Sequence, residues 1–171
     1  MNKISELCIN NTNIPFIPNN CINKLKTLKK ISLQFNQIEH IQKGLFDGMK
    51  SLEEIFLSNN KINSVDVDVF SNQTDLPSLH THNLIDSIED RFYLNNTAVL
   101  DLSHNGIRKL DSHIINSLKV LKELYLHSNL LTTLPNDFLI RTSGPHQLKV
   151  ISLHNNSWDC SCENKWLKSW M

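Results

Sequence analysis

The chain has 171 residues, 40% apolar and 20% charged, which suits one folded domain and excludes a disordered, low-complexity segment. Lys plus Arg and Asp plus Glu both number 17, so there is neither the basic footprint of a nucleic-acid binder nor an acidic excess for a cationic partner. No apolar run approaches a membrane span, and no apolar stretch follows Lys3 as it would in a signal peptide; membrane contact is not expected from these residues.

Taken in chain order, one spacing recurs: L-x-x-L-x-L-x-x-N-x-L. It opens imperfectly at Ile4, Leu7, Ile9, Thr12 and Ile14, and is complete at Leu28, Ile31, Leu33, Asn36, Ile38 and at Leu52, Ile55, Leu57, Asn60, Ile62. A damaged copy reads Leu76, Leu79, Thr81, Asn83, Ile85, with one residue missing before the Asn and Thr in an apolar slot. Three more follow, at Leu100, Leu102, Asn105, Ile107; at Leu121, Leu124, Leu126, Asn129, Leu131; and at Leu148, Ile151, Leu153, Asn156. The positions 12, 36, 60, 83, 105, 129 and 156 are 24, 24, 23, 22, 24 and 27 apart, a period that defines seven repeats. Apolar residues also recur three positions past each template, at Ile17, Ile41, Val65, Ile88, Leu110 and Leu134. Phe46, Phe70, Phe92 and Phe138 then predict an aromatic stack on the return side.

This pattern predicts an α/β solenoid: short parallel strands, a concave sheet face, and a short helical or irregular convex side. Leu-x-Leu alternation sends leucines inward and the intervening residues outward. An amphipathic helix also places Leu at i and i+3, but it does not explain the two-residue step or an Asn at one place in every unit. Thr12, Asn36, Asn60, Asn83, Asn105, Asn129 and Asn156 are expected to form a structural ladder, their side chains satisfying turn groups that burial would otherwise orphan.

Residues 1–156 are read as the repeat array and 157–171 as an incomplete C-terminal cap. The cap reading rests on Trp158, Cys160, Cys162, Trp166, Leu167 and Trp170, which resemble the N-P-W-x-C-x-C…W-L-x-x-W pattern closing extracellular leucine-rich repeat proteins. Ser157 replaces the usual Pro, and the two further cysteines of that cap are absent, so the chain is expected to be part of a secreted or membrane-anchored parent. With no partner in reach, Cys8, Cys21, Cys160 and Cys162 are all expected to be free thiols. A zinc site at Cys160 and Cys162 lacks a second ligand pair, so neither metal nor cofactor is expected. Four N-x-S/T sequons offer glycosylation acceptors at Asn10, Asn72, Asn95 and Asn155.

Strand register lists the outward residues that could carry specificity. It turns Ser32, Ser58 and Ser103 outward among others, and the candidates for binding are Lys30, Glu54, Phe56, His80, His82, Asp101, Glu123, Tyr125, His127 and His154. Phe56 and Tyr125 share one column, as anchors for a partner or as packing within the face. His80, His82, His104, His127 and His154, five of the eight histidines in the chain, gather at one end of the face. They are either an acid-responsive group or ordinary polar turn residues. No phosphate loop, G-x-S-x-G or H-E-x-x-H occurs, and Asp101 with His80 or His127 lacks a placed nucleophile, so catalysis is not expected.

Phe at the return and the cap motif together resemble the ectodomain of Toll-like receptors, in its membrane-proximal part. That resemblance implies a protein or microbial ligand on the concave face, a receptor dimer in the parent protein, and an extracellular or endosomal-lumenal location. Slit-like guidance proteins, neuronal adhesion receptors and secreted matrix proteins share the same array and cap.

Overall fold

In a computed structural model of the chain, the structure describes residues 4–66, 68–70, 72–73, 76, 78–86, 94, 97–111, 114, 118–135, 138 and 148–159. The elements in order are β1 (Glu6–Cys8), α1 (Asn19–Ile22), β2 (Lys30–Ser32), β3 (His40–Ile41), β4 (Glu54–Phe56), β5 (Ser64–Val65), β6 (Ser78–His80), β7 (Val99–Asp101), β8 (Glu123–Tyr125) and β9 (Val150–Ser152). Seven three-residue strands form one parallel sheet in the order β1-β2-β4-β6-β7-β8-β9, while β3 and β5 pair on the return segments. The fold is the leucine-rich repeat horseshoe, with one strand per repeat and almost no helix.

Register is exact along the sheet: Leu7, Ile31, Ile55, Leu79, Leu100, Leu124 and Ile151 stand in one inward column. The five central members of that column are sealed from solvent, whereas Leu7 and Ile151 at the ends are only partly covered. This gradient is what a solenoid requires, since each repeat is covered by its neighbours. On the return side Phe46 stacks on Phe70 at 5.7 Å, Ile114 takes the equivalent place in the fifth repeat, and Phe138 is fully buried. Phe92 and Ile88 lie outside the described residues.

The asparagines make a continuous ladder. Asn60 accepts from the Ile38 N–H (3.1 Å) and donates to both Leu33 O (2.9 Å) and Leu57 O (2.8 Å), tying its own turn to the preceding one. In the regular repeats a strand-end carbonyl thereby receives two amides: Leu33 O from Asn36 and Asn60, Leu102 O from Asn105 and Asn129, Leu126 O from Asn129 and Asn156. The residue before the ladder position is left-handed at Asn11 (φ 56), Phe35 (φ 56), Asn59 (φ 60), His104 (φ 53), Ser128 (φ 56) and Asn155 (φ 53). That conformation turns the chain out of the sheet, and Asn tolerates it best among residues with a side chain.

Both ends of the ladder are finished differently. Thr12 cannot reach backward as an amide does; its hydroxyl instead donates forward to Asn36 Oδ1 at 2.8 Å. At the other end, Leu153 O accepts from Asn156 (2.9 Å) and from the indole N–H of Trp158 (3.0 Å), which takes the place that the next asparagine would fill. Cys160, Cys162, Trp166 and Trp170 lie outside the described residues. Among those described, Cys8 and Cys21 are exposed free thiols, and no helix is long and apolar enough to cross a membrane.

Candidate functional site

Three outward columns run across the strands and their following residues. In the first, Lys30 pairs with Glu54 at 3.3 Å. In the second, the Lys30 ammonium lies 4.9 Å from the centroid of Phe56, and Phe56 stacks on His80 at 4.8 Å with planes only 2° apart. Phe56 is therefore a half-buried member of a cation–aromatic–imidazole stack rather than a free anchor. Tyr125, in the same column, donates its hydroxyl to Glu123 at 2.8 Å, and that carboxylate raises the tyrosine pKa.

Asp101 is the electrostatic hub. Its Oδ2 lies 3.3 Å from His82 Nε2 and 3.6 Å from His80 Nδ1, while Oδ1 accepts from the Ser103 hydroxyl (2.6 Å) and backbone N–H (3.0 Å). Partial burial would push its pKa up; His80, the two Ser103 donors and the field of His82 outweigh this and hold the carboxyl well below the usual range. The Ser103 bonds anchor it, because 3.6 Å is long for a direct hydrogen bond from His80.

Two expectations are corrected here. Ser32, Ser58 and Ser103, outward in register, are buried: Ser32 lies under Asn10 (2.9 Å) and Gln34 (3.1 Å), and Ser103 under His82 and Asp101. Small hydroxyls between long neighbours are simply covered by them. Second, a hydroxyl does stand beside the His80–Asp101 pair: Ser78 Oγ is 2.6 Å from His80 Nε2, two residues away on one strand face. The backbone donors flanking this strand are already engaged among the described residues: Ser78 N–H goes to Glu53 O and Thr81 N–H to Asp101 O.

The third column carries a row of imidazoles. His82 and His104 are 5.0 Å apart between centroids, His104 and His127 5.2 Å, and His127 and His154 4.5 Å with planes 10° apart. Ser152 Oγ lies 3.1 Å from His127 Nδ1 and 3.0 Å from His154 Nδ1, fixing both rings through one hydroxyl. Burial first, then the charges of His154 and His104, lower the His127 pKa. Among the described residues no three His, Cys, Asp or Glu side chains converge on a metal-sized point.

Of the sequons, Asn10 lies on the sheet face with its Oδ1 accepting from Ser32 and from Gln34 N–H, Asn72 is exposed and donates to Asp47, and Asn155 is exposed at a left-handed turn. Asn95 lies outside the described residues. Sequence reasoning placed the columns but missed the Ser78–His80 contact and the ladder-closing Trp158; the i, i+2 spacing on one strand was the available signal for the first.

A parallel-strand solenoid that leaves one polar, aromatic sheet face open is a recognition scaffold. The leucine rich repeat model matches residues 2–62, 26–83 and 95–157, and the chain belongs to that family. It is 43% identical over 51 residues to immunoglobulin superfamily member 10 of Mus musculus, covering 30% of this chain and 2% of that protein. Its fold is similar to that in the TLR13–ssRNA13 complex (TM-score 0.79, 24% identity, 92% of this chain and 23% of that one). It is also similar to the Drosophila Toll–Spatzle complex (TM-score 0.80, 25% identity, 87% and 20%). The chain thus spans only a small part of each.

Proposed function

We propose that this leucine-rich repeat module binds a protein ligand as part of an extracellular or endosomal-lumenal recognition receptor of the Toll type. The observation that carries the reading is the Lys30–Phe56–His80–Asp101 belt, which crosses four consecutive strands of the open sheet face. Aromatic and charged groups held in place by one another lose little entropy when a partner covers them. Similarity to the Toll–Spatzle structure supports a protein ligand. Receptor dimerisation and glycans at Asn72 and Asn155 belong to the same reading, as does a cap formed by residues 157–171. A second reading, an adhesion or matrix module, is favoured by the likeness to immunoglobulin superfamily member 10.

A photo-crosslinking residue placed at Phe56 or Tyr125 of the secreted full chain is expected to capture an extracellular protein that Glu39, an exposed residue on the return segment, does not. Capture should fall when Lys30 and Asp101 are both replaced by Ala. Adducts from position 39 alone would place the binding surface elsewhere and end the proposal. Sequencing the transcript downstream separates the two parents, by a membrane span with a TIR domain or by immunoglobulin modules.

A further inference from the structure

The five clustered histidines are not equivalent. His80 and His82 already share a carboxylate, Asp101, which sits between them at 3.6 and 3.3 Å. His104, His127 and His154 continue the row without one: among the described residues no Asp or Glu forms an ion pair with any of the three. The titratable groups facing them are His82 and Asp101 toward β7, Tyr125 with its Glu123 on β8, and one another. One end of the row therefore shows how the face seats a carboxylate between imidazoles, and the other end presents the same type of donors, which no Asp or Glu among the described residues engages.

We propose that His104, His127 and His154 form an acid-gated site for carboxylates presented by an acidic helix of a protein partner. The spacing selects the helix. Ring centroids repeat at 5.2 and 4.5 Å. Acidic residues at i, i+4 and i+7 of a helix make a row of three whose successive Cβ atoms are about 5–6 Å apart. Same-face residues of an extended strand are about 6.8 Å apart, too long a step for this row. Ser152 supports the geometry, because binding both Nδ1 atoms leaves both Nε2 atoms for a ligand.

The gate follows from charge. As the pH falls, three imidazoles about 5 Å apart must become cations beside one another, and the neighbours of His127 already resist this. A bound carboxylate relieves that repulsion, so binding and proton uptake reinforce each other. Affinity rises as pH falls through the histidine range and stays high until the carboxylates of the partner themselves protonate, near pH 4. The proposal rests on the sheet face being the binding face, and specifies the chemistry and pH of one part of it.

The test titrates the full chain with a helical peptide carrying Glu at i, i+3, i+4 and i+7, and with its Gln counterpart. For the Glu peptide we expect about tenfold or more tighter binding at pH 5.5 than at 7.5, and for the Gln peptide no change. The gain should vanish in His104→Gln/His127→Gln/His154→Gln and survive in His40→Gln, which removes a histidine from β3. Histidine ring NMR on the unaltered chain keeps the test independent of variant folding: the peptide should move the His127 and His154 titrations upward. Binding independent of pH, an unchanged ring titration, or equal affinity for dextran sulfate with the same histidine dependence would each overturn the proposal. Crosslinks at position 56 or 125 alongside a failed titration would leave the binding-face reading standing.

Discussion

The third repeat turns from Leu57 to Asn60 through Ser58 and Asn59, whereas the fourth turns from Thr81 to Asn83 through His82 alone. The missing residue is the left-handed one: Asn59 has φ 60, and His82 is not among the positive-φ residues. The fourth turn is therefore tighter and gives up part of the ladder. Asn83 keeps its backward bonds, accepting from Ile62 N–H at 3.1 Å and donating to Leu57 O at 3.0 Å, but makes none to its own strand-end carbonyl among the described residues. Thr81 O receives only Asn105 from the ladder, and the Thr81 hydroxyl turns to Asp101 O at 3.2 Å. Connections between repeats are retained where the internal bond is lost, because an unpaired buried N–H costs more than a carbonyl with one partner instead of two.

The short turn also bears on the site. It leaves His82 next to Asn83 with its Nε2 3.3 Å from Asp101, while among the described residues His127, in a turn of regular length, meets other imidazoles, Tyr125 and the Ser152 hydroxyl but pairs with no carboxylate. A one-residue deletion in a structural motif thus coincides with the boundary between paired and unpaired histidines on the exposed face.

The largest expected effects test whether the core is indifferent to this difference. Ile55 and Leu79 are equally sealed. Replacing either by Ala should cost about 2–5 kcal/mol in denaturant unfolding, with similar values for the two. If Leu79→Ala costs less than about 1 kcal/mol, the fourth repeat is already loose and the comparison breaks, because cavity energies of that kind are not seen in a packed column.

Asparagine substitutions should then separate the repeats. Asn60→Ala removes three bonds and strands the Ile38 N–H, and we expect a loss of about 1–3 kcal/mol. Asn83→Ala likewise strands one N–H, that of Ile62, but removes only two bonds and leaves Leu57 O with Asn60, so its cost should be the smaller of the two. Hydrogen exchange at Ile38 and Ile62, read beside the unfolding curves, checks that each loss is local. A costlier Asn83→Ala would mean that the shortened turn depends on its amide more than the regular one does.

These two repeats also show what was legible in the residues. Period, strand register and inward columns were readable because apolar side chains must alternate on a strand and stack between repeats; Ile31, Ile55 and Leu79 leave no alternative register. The deletion was visible as spacing, but its consequence was not, since the left-handed role of Asn59 is a backbone property that Phe35, His104 and Ser128 also adopt in their own turns. In the site, the columns of Phe56, His80, Asp101 and His127 were legible. The pairing within them was not, because whether Ser103 lies buried under Asp101 or Ser78 reaches His80 depends on side-chain length and rotamer rather than on register.

The smallest predicted effect sharpens the contrast between His82 and His127. The His127 pKa is lowered in the folded chain, so on acidification the unfolded chain takes up a proton first, near pH 6.5. Its contribution to stability is therefore complete above that pH and declines as pH falls toward the folded-state value, the reverse of a histidine stabilised by a carboxylate. Asp101 acts with the same sign in a lower window: its depressed pKa contributes fully at neutral pH and is lost only below about pH 4. Melting temperature should consequently drop modestly between pH 7.5 and 5.5, more shallowly in His127→Gln, and then drop again below pH 4 unless Asp101 is replaced by Asn. Equal slopes for the unaltered chain and His127→Gln in the first interval would mean that the imidazole row accepts its charge without strain, and the open end of the face would then differ from the Asp101 end only in geometry.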